Sequence, residues 1–268
     1  MTYNSFMFVG CGNMGGAMLD GWLAAGQPAS TFTISDPYRE DAPDGVTLVD
    51  KLPEKTFDAV LLGIKPHMLG DLADDIAKVI GPETVVFSVL AGTQLETLDE
   101  HFPSSAARVR VMPNLAVKIG KAPLALVESG LDEAGRKRAT EFFSGIGSCE
   151  WLPDESQFDL VTALSGSGPG FVYRFIDALA SGAAAQGLDE AQAQRLAVQM
   201  VEGAAALAAQ SEHSPAELAR RVASPGGMTQ KGLDVLDENN ALKSLVENCL
   251  VAARDRGAEM AKEARRKG

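Results

Sequence analysis

The sequence predicts an α/β protein: a doubly wound, mostly parallel sheet in the N-terminal half, then an all-helical half. Three observations carry this. Short β-rich apolar runs recur up to about residue 153, and each is closed by a turn signal. After Leu152-Pro153 the strand signals stop and alanine-rich helical patterns take over. At 268 residues the chain also exceeds the size at which single cores stop growing, about 250 residues, so two domains are expected, 1–153 and 154–268.

The expected strands are 6–9, 32–35, 59–64, 85–89, 108–112, 125–127 and 149–152. Ligands of such sheets bind at the carboxyl ends of the strands, so the turns after Val9, Ile34, Ile64, Val89 and Met112 should line a cleft. The first turn is the most informative. Phe6-Met7-Phe8-Val9 precedes Gly10-Cys11-Gly12-Asn13-Met14-Gly15, and residues 17–23 have a helical pattern. A strand, a G-x-G-x-x-G turn and a helix form the dinucleotide-binding fingerprint of a Rossmann domain. In that motif Gly10 permits the tight turn, Gly12 admits a pyrophosphate and Gly15 lets the helix pack closely. The pyrophosphate rests on free N–H groups at the helix N-terminus.

In the second half, helices are expected over 171–186, 191–210 and 242–262. Ser167, Pro169 and Gly187 punctuate the first of them. So apolar a helical half predicts a homodimer built on these helices, an all-α dimerisation domain. Arg265, Arg266 and Lys267 suggest a solvated basic helix end.

The net charge of −12 argues against a nucleic-acid surface or a face for anionic lipid. No apolar run reaches the roughly 18 residues of a membrane span, and no signal peptide is visible. Cys11, Cys149 and Cys249 are scattered thiols that suit a reducing compartment, so the expected location is cytoplasmic. Cys11 is read as a small residue filling a turn. His67, His101 and His213 have no ligand spacing, so no metal is expected. Asp74-Asp75 is read as a solvated helix face.

A second signal is Ser224-Pro225-Gly226-Gly227-Met228-Thr229-Gln230, a loop running into a helical pattern. Such a loop offers free N–H groups with two hydroxyls beside them, a neutral site suited to a carboxylate. An ordinary capped helix start is the alternative.

These motifs together resemble the pyrroline-5-carboxylate reductase family. The resemblance rests on Val161-Thr162-Ala163-Leu164-Ser165-Gly166-Ser167-Gly168-Pro169, on Ser224-Pro225-Gly226-Gly227-Met228-Thr229, and on the turns Phe8 to Met14, Ile64-Lys65-Pro66 and Val111-Met112-Pro113-Asn114. It runs from end to end in motif order. It implies reduction of Δ1-pyrroline-5-carboxylate to L-proline by NAD(P)H, the last step of proline synthesis, in a homodimer that can assemble further into a ring. It also implies that Thr229 offers its hydroxyl to the ring nitrogen as the catalytic residue. Ser224 and the N–H groups of Gly227, Met228 and Thr229 would hold the carboxylate, and Glu155 would stand near the ligand. Cofactor contacts are expected from Val9, Gly10, Cys11, Gly12, Asn13, Met14, Gly15, Ser35, Asp36, Gly63, Ile64, Lys65, Pro66, Leu90, Ala91, Asn114 and Arg221.

The chain departs from the family pattern at Met228, Leu115-Ala116, Gly170-Phe171, Arg221 and Asp36. Asp36 ends the second strand, where an acid binds ribose hydroxyls and favours NADH. Arg39 stands three residues on and can bind a phosphate if the loop folds toward the ribose. The resemblance implies NADPH, and Asp36 keeps NADH open. A β-hydroxyacid dehydrogenase would look for a lysine early in the helical half, yet no lysine occurs between Lys137 and Lys231. A reductase of a larger cyclic imine stays open through Met228. A nucleotide sensor without turnover fits poorly with intact Ser224 and Thr229.

Overall fold

The computed structural model describes residues 3–265. Its strands are β1 (Phe6–Val9), β2 (Phe32–Ser35), β3 (Thr47–Val49), β4 (Ala59–Leu62), β5 (Val85–Ser88), β6 (Ala107–Met112), β7 (Ala122–Ser129) and β8 (Gly147–Trp151). Its α-helices are α1 (Asn13–Ala24), α2 (Leu69–Ala77), α3 (Leu95–His101), α4 (Glu133–Phe143), α5 (Phe158–Val161), α6 (Gly168–Ala185), α7 (Glu190–Gln210), α8 (Pro215–Val222), α9 (Met228–Asp237) and α10 (Ala241–Arg265). Arg266 and Lys267, read as part of a basic helix end, lie outside the described residues.

The chain divides into two compact units. The first holds residues up to Gly166 together with those from Ala253, and the second holds Ser167–Ala252. This division falls later than the composition shift at residue 153, because the segment after β8 stays on the sheet. Asn114 Nδ2 donates to the Ser165 carbonyl at 2.9 Å, and a Cβ on Gly166 would stand 3.1 Å from Met112 Sδ.

In the first unit the sheet order is β3-β2-β1-β4-β5-β6-β7-β8. Successive strands step outward from β1 to β3, then the chain returns to build from β4 on the other side. The switch point is therefore the gap between β1 and β4. All neighbours are parallel except β6 and β7. The link from Pro113 to Lys121 is shorter than the dozen or so residues that a parallel crossover needs, so β7 turns back antiparallel.

Side chains alternate across the sheet. Phe6, Phe8, Phe32 and Phe87 point to one face and pack with Trp22 of α1 and Phe142 and Phe143 of α4. The Trp22 indole N–H donates to the Phe142 carbonyl at 3.1 Å, and the rings of Phe6 and Phe142 stack at 5.1 Å. Met7, Val9, Val60, Leu62 and Val86 point to the other face, under Leu69, Ile76 and Leu98 of α2 and α3. Both faces being covered explains why β1, β4 and β5 are continuous apolar runs.

The second unit packs α6 against α7 through Ala180, Ala193 and Ala197, with Ile176 and Leu179 beside them. Small side chains let the two helices approach closely. Pro169 sits in the first turn of α6, and Gly187 follows its end at φ +103°. Phe171, Tyr173, Phe175, Leu196, Met200 and Leu207 remain exposed on the single chain. Among the described residues no helix is long and apolar enough to cross a membrane.

Candidate active site

The first part of the site is the turn after β1. Gly10 has φ +82°, and a Cβ there would stand 2.8 Å from the Ile64 nitrogen. Only glycine meets both demands at the switch point. The turn is tied to both neighbouring strands: Gly10 N–H donates to the Ser35 carbonyl at 2.8 Å, and Gly63 N–H donates to the Val9 carbonyl at 2.9 Å. A Cβ on Gly15 would lie 3.4 Å from the Gly10 carbonyl, so α1 rests closely on the turn.

Gly12 differs from its neighbours. A Cβ there would meet nothing within 4 Å. It caps α1 without a side-chain hydrogen bond, and the first turn of α1 carries no acidic residue. Free N–H groups, a favourable dipole and open space meet at one point, so the turn fits a dinucleotide pyrophosphate.

Asp36 and Arg39 both reach this turn. Asp36 accepts the Cys11 N–H at 2.7 Å on one oxygen and the Tyr38 N–H at 2.9 Å on the other. The Arg39 guanidinium donates from Nη1 to Cys11 Sγ at 2.9 Å and to the Cys11 carbonyl at 3.4 Å. Burial pushes the Cys11 thiol up to about 11 against the opposing charge of Arg39. That thiol is protonated at neutral pH and unsuited to redox chemistry.

The other expected cofactor residues are placed unevenly. Lys65 is exposed and leads the partly buried turn Pro66–Met68, which follows the carboxyl end of β4. Leu90 is buried among the residues under α2 and α3, while Ala91 after it is exposed. Asn114 is buried and spends its amide on the protein, donating to the Ser165 carbonyl and accepting the Ala116 N–H. Ser165 lies in a π-turn over Thr162–Gly166, a geometry frequent at functional positions. Arg221 sits exposed on α8, its Nε 3.1 Å from Glu217 Oε1.

Glu155, expected beside a ligand, has partners within the first unit. Its Oε1 accepts from Arg110 Nη1 at 2.5 Å and from the Leu95 N–H at 2.9 Å. Arg110 is 4% exposed, and its guanidinium lies 3.8 Å from the centre of the Phe158 ring. Burial lowers the Arg110 pKa, while Glu155 opposes that shift. Sequence reasoning missed this pair. The available signal was an arginine inside the apolar strand Val109-Arg110-Val111, which needs a counter-charge.

The second unit carries the other expected loop. Gly226 has φ +71°, and the Gly227 N–H closes the loop onto the Ser224 carbonyl at 2.8 Å. The Gly227 N–H, expected at a substrate carboxylate, is thus engaged by the turn. Helix α9 starts at Met228 with no side-chain cap and no acid in its first turn. Ser224 and Thr229 are exposed there, and Met228 is 95% exposed.

A glycine turn open to a dinucleotide in the first unit and an uncapped helix start in the second fit a nicotinamide-dependent oxidoreductase of a small anionic substrate. The comparisons specify which one. The family model of pyrroline-5-carboxylate reductase dimerisation matches residues 155–260, and that of NADP oxidoreductase, coenzyme F420-dependent, matches residues 5–92. The chain is 33% identical to a pyrroline-5-carboxylate reductase of Pseudomonas aeruginosa, covering 98% of this chain and 99% of that one. It is 32% identical to a pyrroline-5-carboxylate reductase of Methanosarcina acetivorans, covering 96% and 97%. A solved pyrroline-5-carboxylate reductase of Coxiella burnetii superposes with TM-score 0.88 at 28% identity, covering 97% and 98%.

The chain belongs to the pyrroline-5-carboxylate reductase family. It reduces Δ1-pyrroline-5-carboxylate to L-proline with a reduced nicotinamide cofactor, the last step of proline biosynthesis, and its helical half is a dimerisation domain.

Proposed function

We propose that the loop from Ser224 and the start of α9 form the substrate site, with NADPH as the reductant. The observation that carries this is the uncapped α9 N-terminus, which keeps N–H groups of Met228 and Thr229 beside two exposed hydroxyls without an acid in the first turn. Those N–H groups and Ser224 hold the substrate carboxylate, which suits a chain with a net charge of −12 and no positive field to recruit an anion.

When bound, a reduced nicotinamide would supply the hydride for the imine carbon. The ring nitrogen would bring the proton that completes the secondary amine, taken from solvent as the cyclic iminium forms. Thr229 holds that nitrogen through its hydroxyl, and catalysis comes from positioning and from stabilising charge as the C=N bond is reduced. A cyclic imine is basic enough to enter partly protonated, so no strong acid is required of the chain. Glu155, held by Arg110 and the Leu95 N–H, serves the fold and not the ligand.

The match to an NADP oxidoreductase model over residues 5–92 supports the choice of cofactor. The match over 155–260 supports a dimerisation domain in the helical half. Free thiols at Cys11, Cys149 and Cys249 support a cytoplasmic enzyme. A ring of dimers is the further assembly proposed.

The test follows nicotinamide absorbance with Δ1-pyrroline-5-carboxylate, comparing NADPH and NADH at equal concentration. Faster turnover with NADPH is expected. Faster turnover with NADH overturns the cofactor choice, and no turnover with either overturns the substrate site.

A further inference from the structure

We infer that Arg39 reads the adenosine 2′-phosphate and that Asp36, despite its place at the end of β2, is a positioning residue that braces the glycine turn. This deepens the NADPH reading above and rests on it.

The usual expectation for an acid at the end of the second strand is that it binds ribose hydroxyls and repels a 2′-phosphate. Here both carboxylate oxygens already have backbone donors. One takes the Cys11 N–H from inside the glycine turn at 2.7 Å, and the other takes the Tyr38 N–H at 2.9 Å. Charge-assisted bonds of this length are among the stronger ones in proteins. The carboxylate thus joins the turn after β1 to the turn after β2, and it fixes the backbone that a cofactor of either kind must meet.

Arg39 is the complement. Its Nε donates to the Asp41 carbonyl at 3.2 Å, and Nη1 reaches the Cys11 carbonyl and Sγ. Every one of these acceptors is neutral, and no carboxylate pairs with the guanidinium among the described residues. An unmatched planar cation lies against the cofactor turn of an otherwise acidic chain. Its fork suits a phosphate bidentately. Two cofactor phosphates are in question: the 2′-phosphate, carried only by NADPH, and the pyrophosphate, carried by both cofactors. Arg39 lies past the end of β2 and against Cys11, and the end of the second strand is where a Rossmann fold meets the adenosine ribose, which favours the first.

Calorimetric binding of NADPH, NADH, 2′,5′-ADP and 5′-ADP to wild type, Arg39→Ala, Arg39→Lys and Asp36→Asn separates the assignments. Arg39→Ala is expected to weaken NADPH and 2′,5′-ADP by about 10- to 100-fold, and NADH and 5′-ADP by less than about 3-fold. Arg39→Lys should recover part of the loss. Asp36→Asn is expected to weaken NADPH and NADH together, leaving their ratio unchanged. Each result is a ratio within one preparation, so a partly unfolded variant imitates none of them. Equal losses of both cofactors in Arg39→Ala place Arg39 on the pyrophosphate and overturn the assignment. A variant Asp36→Asn that loses NADH and gains NADPH restores the ribose role and overturns the brace. Wild-type protein that binds NADH more tightly overturns the cofactor reading itself. Wild-type preference for NADPH with an unchanged ratio in both Arg39 variants overturns this inference alone.

Discussion

Buried Arg110 and half-buried Glu155 form an ion pair, Nη1 to Oε1 at 2.5 Å, that ties the sixth strand to the segment following the last one. The same carboxylate oxygen caps the start of α3 through the Leu95 N–H, and Phe158 covers the guanidinium. Glu155→Ala leaves that cation buried and unpaired, which costs about 3–5 kcal/mol. The expected outcome is a large drop in the denaturant midpoint with little change in KM for either substrate. A double variant, Arg110→Met with Glu155→Leu, should recover most of the stability, because well-packed apolar groups often replace a buried pair without loss. A raised KM at unchanged stability in Glu155→Ala would return Glu155 to the substrate site.

Thr229→Ala should lower kcat by about 10- to 1000-fold, the range for one lost transition-state hydrogen bond. Thr229→Ser keeps the hydroxyl and should keep most of the activity. Cofactor Kd should be unchanged in both, since Thr229 lies on the α9 turn and not on the glycine turn. Wild-type turnover in Thr229→Ala would remove the hydroxyl from the mechanism.

Two glycines of one turn should fail in different ways. Gly10→Ala forces a side chain into left-handed backbone and against the Ile64 nitrogen, so thermal stability should fall. Gly12 has φ −70° and open space around its Cβ position, so Gly12→Ala should fold with an unchanged Tm. Its methyl stands where the pyrophosphate must approach, and the Kd of NADPH and NADH should rise together by at least 10-fold. Differential scanning calorimetry and cofactor titration on the same samples check both statements.

The thiols predict a pH dependence. Burial pushes Cys11 and Cys149 up to about 11 from an ordinary 9.0. The fold therefore favours the protonated thiols. Their contribution to stability is complete below pH 9 and is lost as pH rises through about 11. Only about one thiol in a thousand is ionised at pH 8, so iodoacetamide should label Cys11 and Cys149 slowly in the folded protein and quickly in denaturant. Fast labelling of Cys11 at pH 8 in the native state would contradict its burial.

Much of this protein was legible as sequence because its physics is local. The glycine turn needs residues without a Cβ in fixed order, and the central strands need apolar side chains on both faces, so β1, β2, β4, β5 and β6 appear as short apolar runs. The uncapped loop before α9 was legible for the same reason, since Pro225 and two glycines restrict the backbone within a few residues. β3 gave no such signal: it is a three-residue edge strand with only partial burial. The reversed direction of β7 was hidden because it depends on the length of a connection and not on composition.

What the sequence determined by itself was the two glycine-bearing turns, whose backbone geometry a few neighbouring residues dictate, and through them the family resemblance. Only the tertiary structure decided the partners of charged groups. Arg110 and Glu155 are far apart in the chain, as are Asp36 and Cys11, and no local pattern says that their donors and acceptors meet. The physical reason is that a buried charge takes whichever counter-charge or N–H the fold brings within about 3 Å, and that distance is set by strand order and helix placement. The same carboxylate that reads as a ligand group in the sequence can thus be, in the folded chain, a bond between two turns.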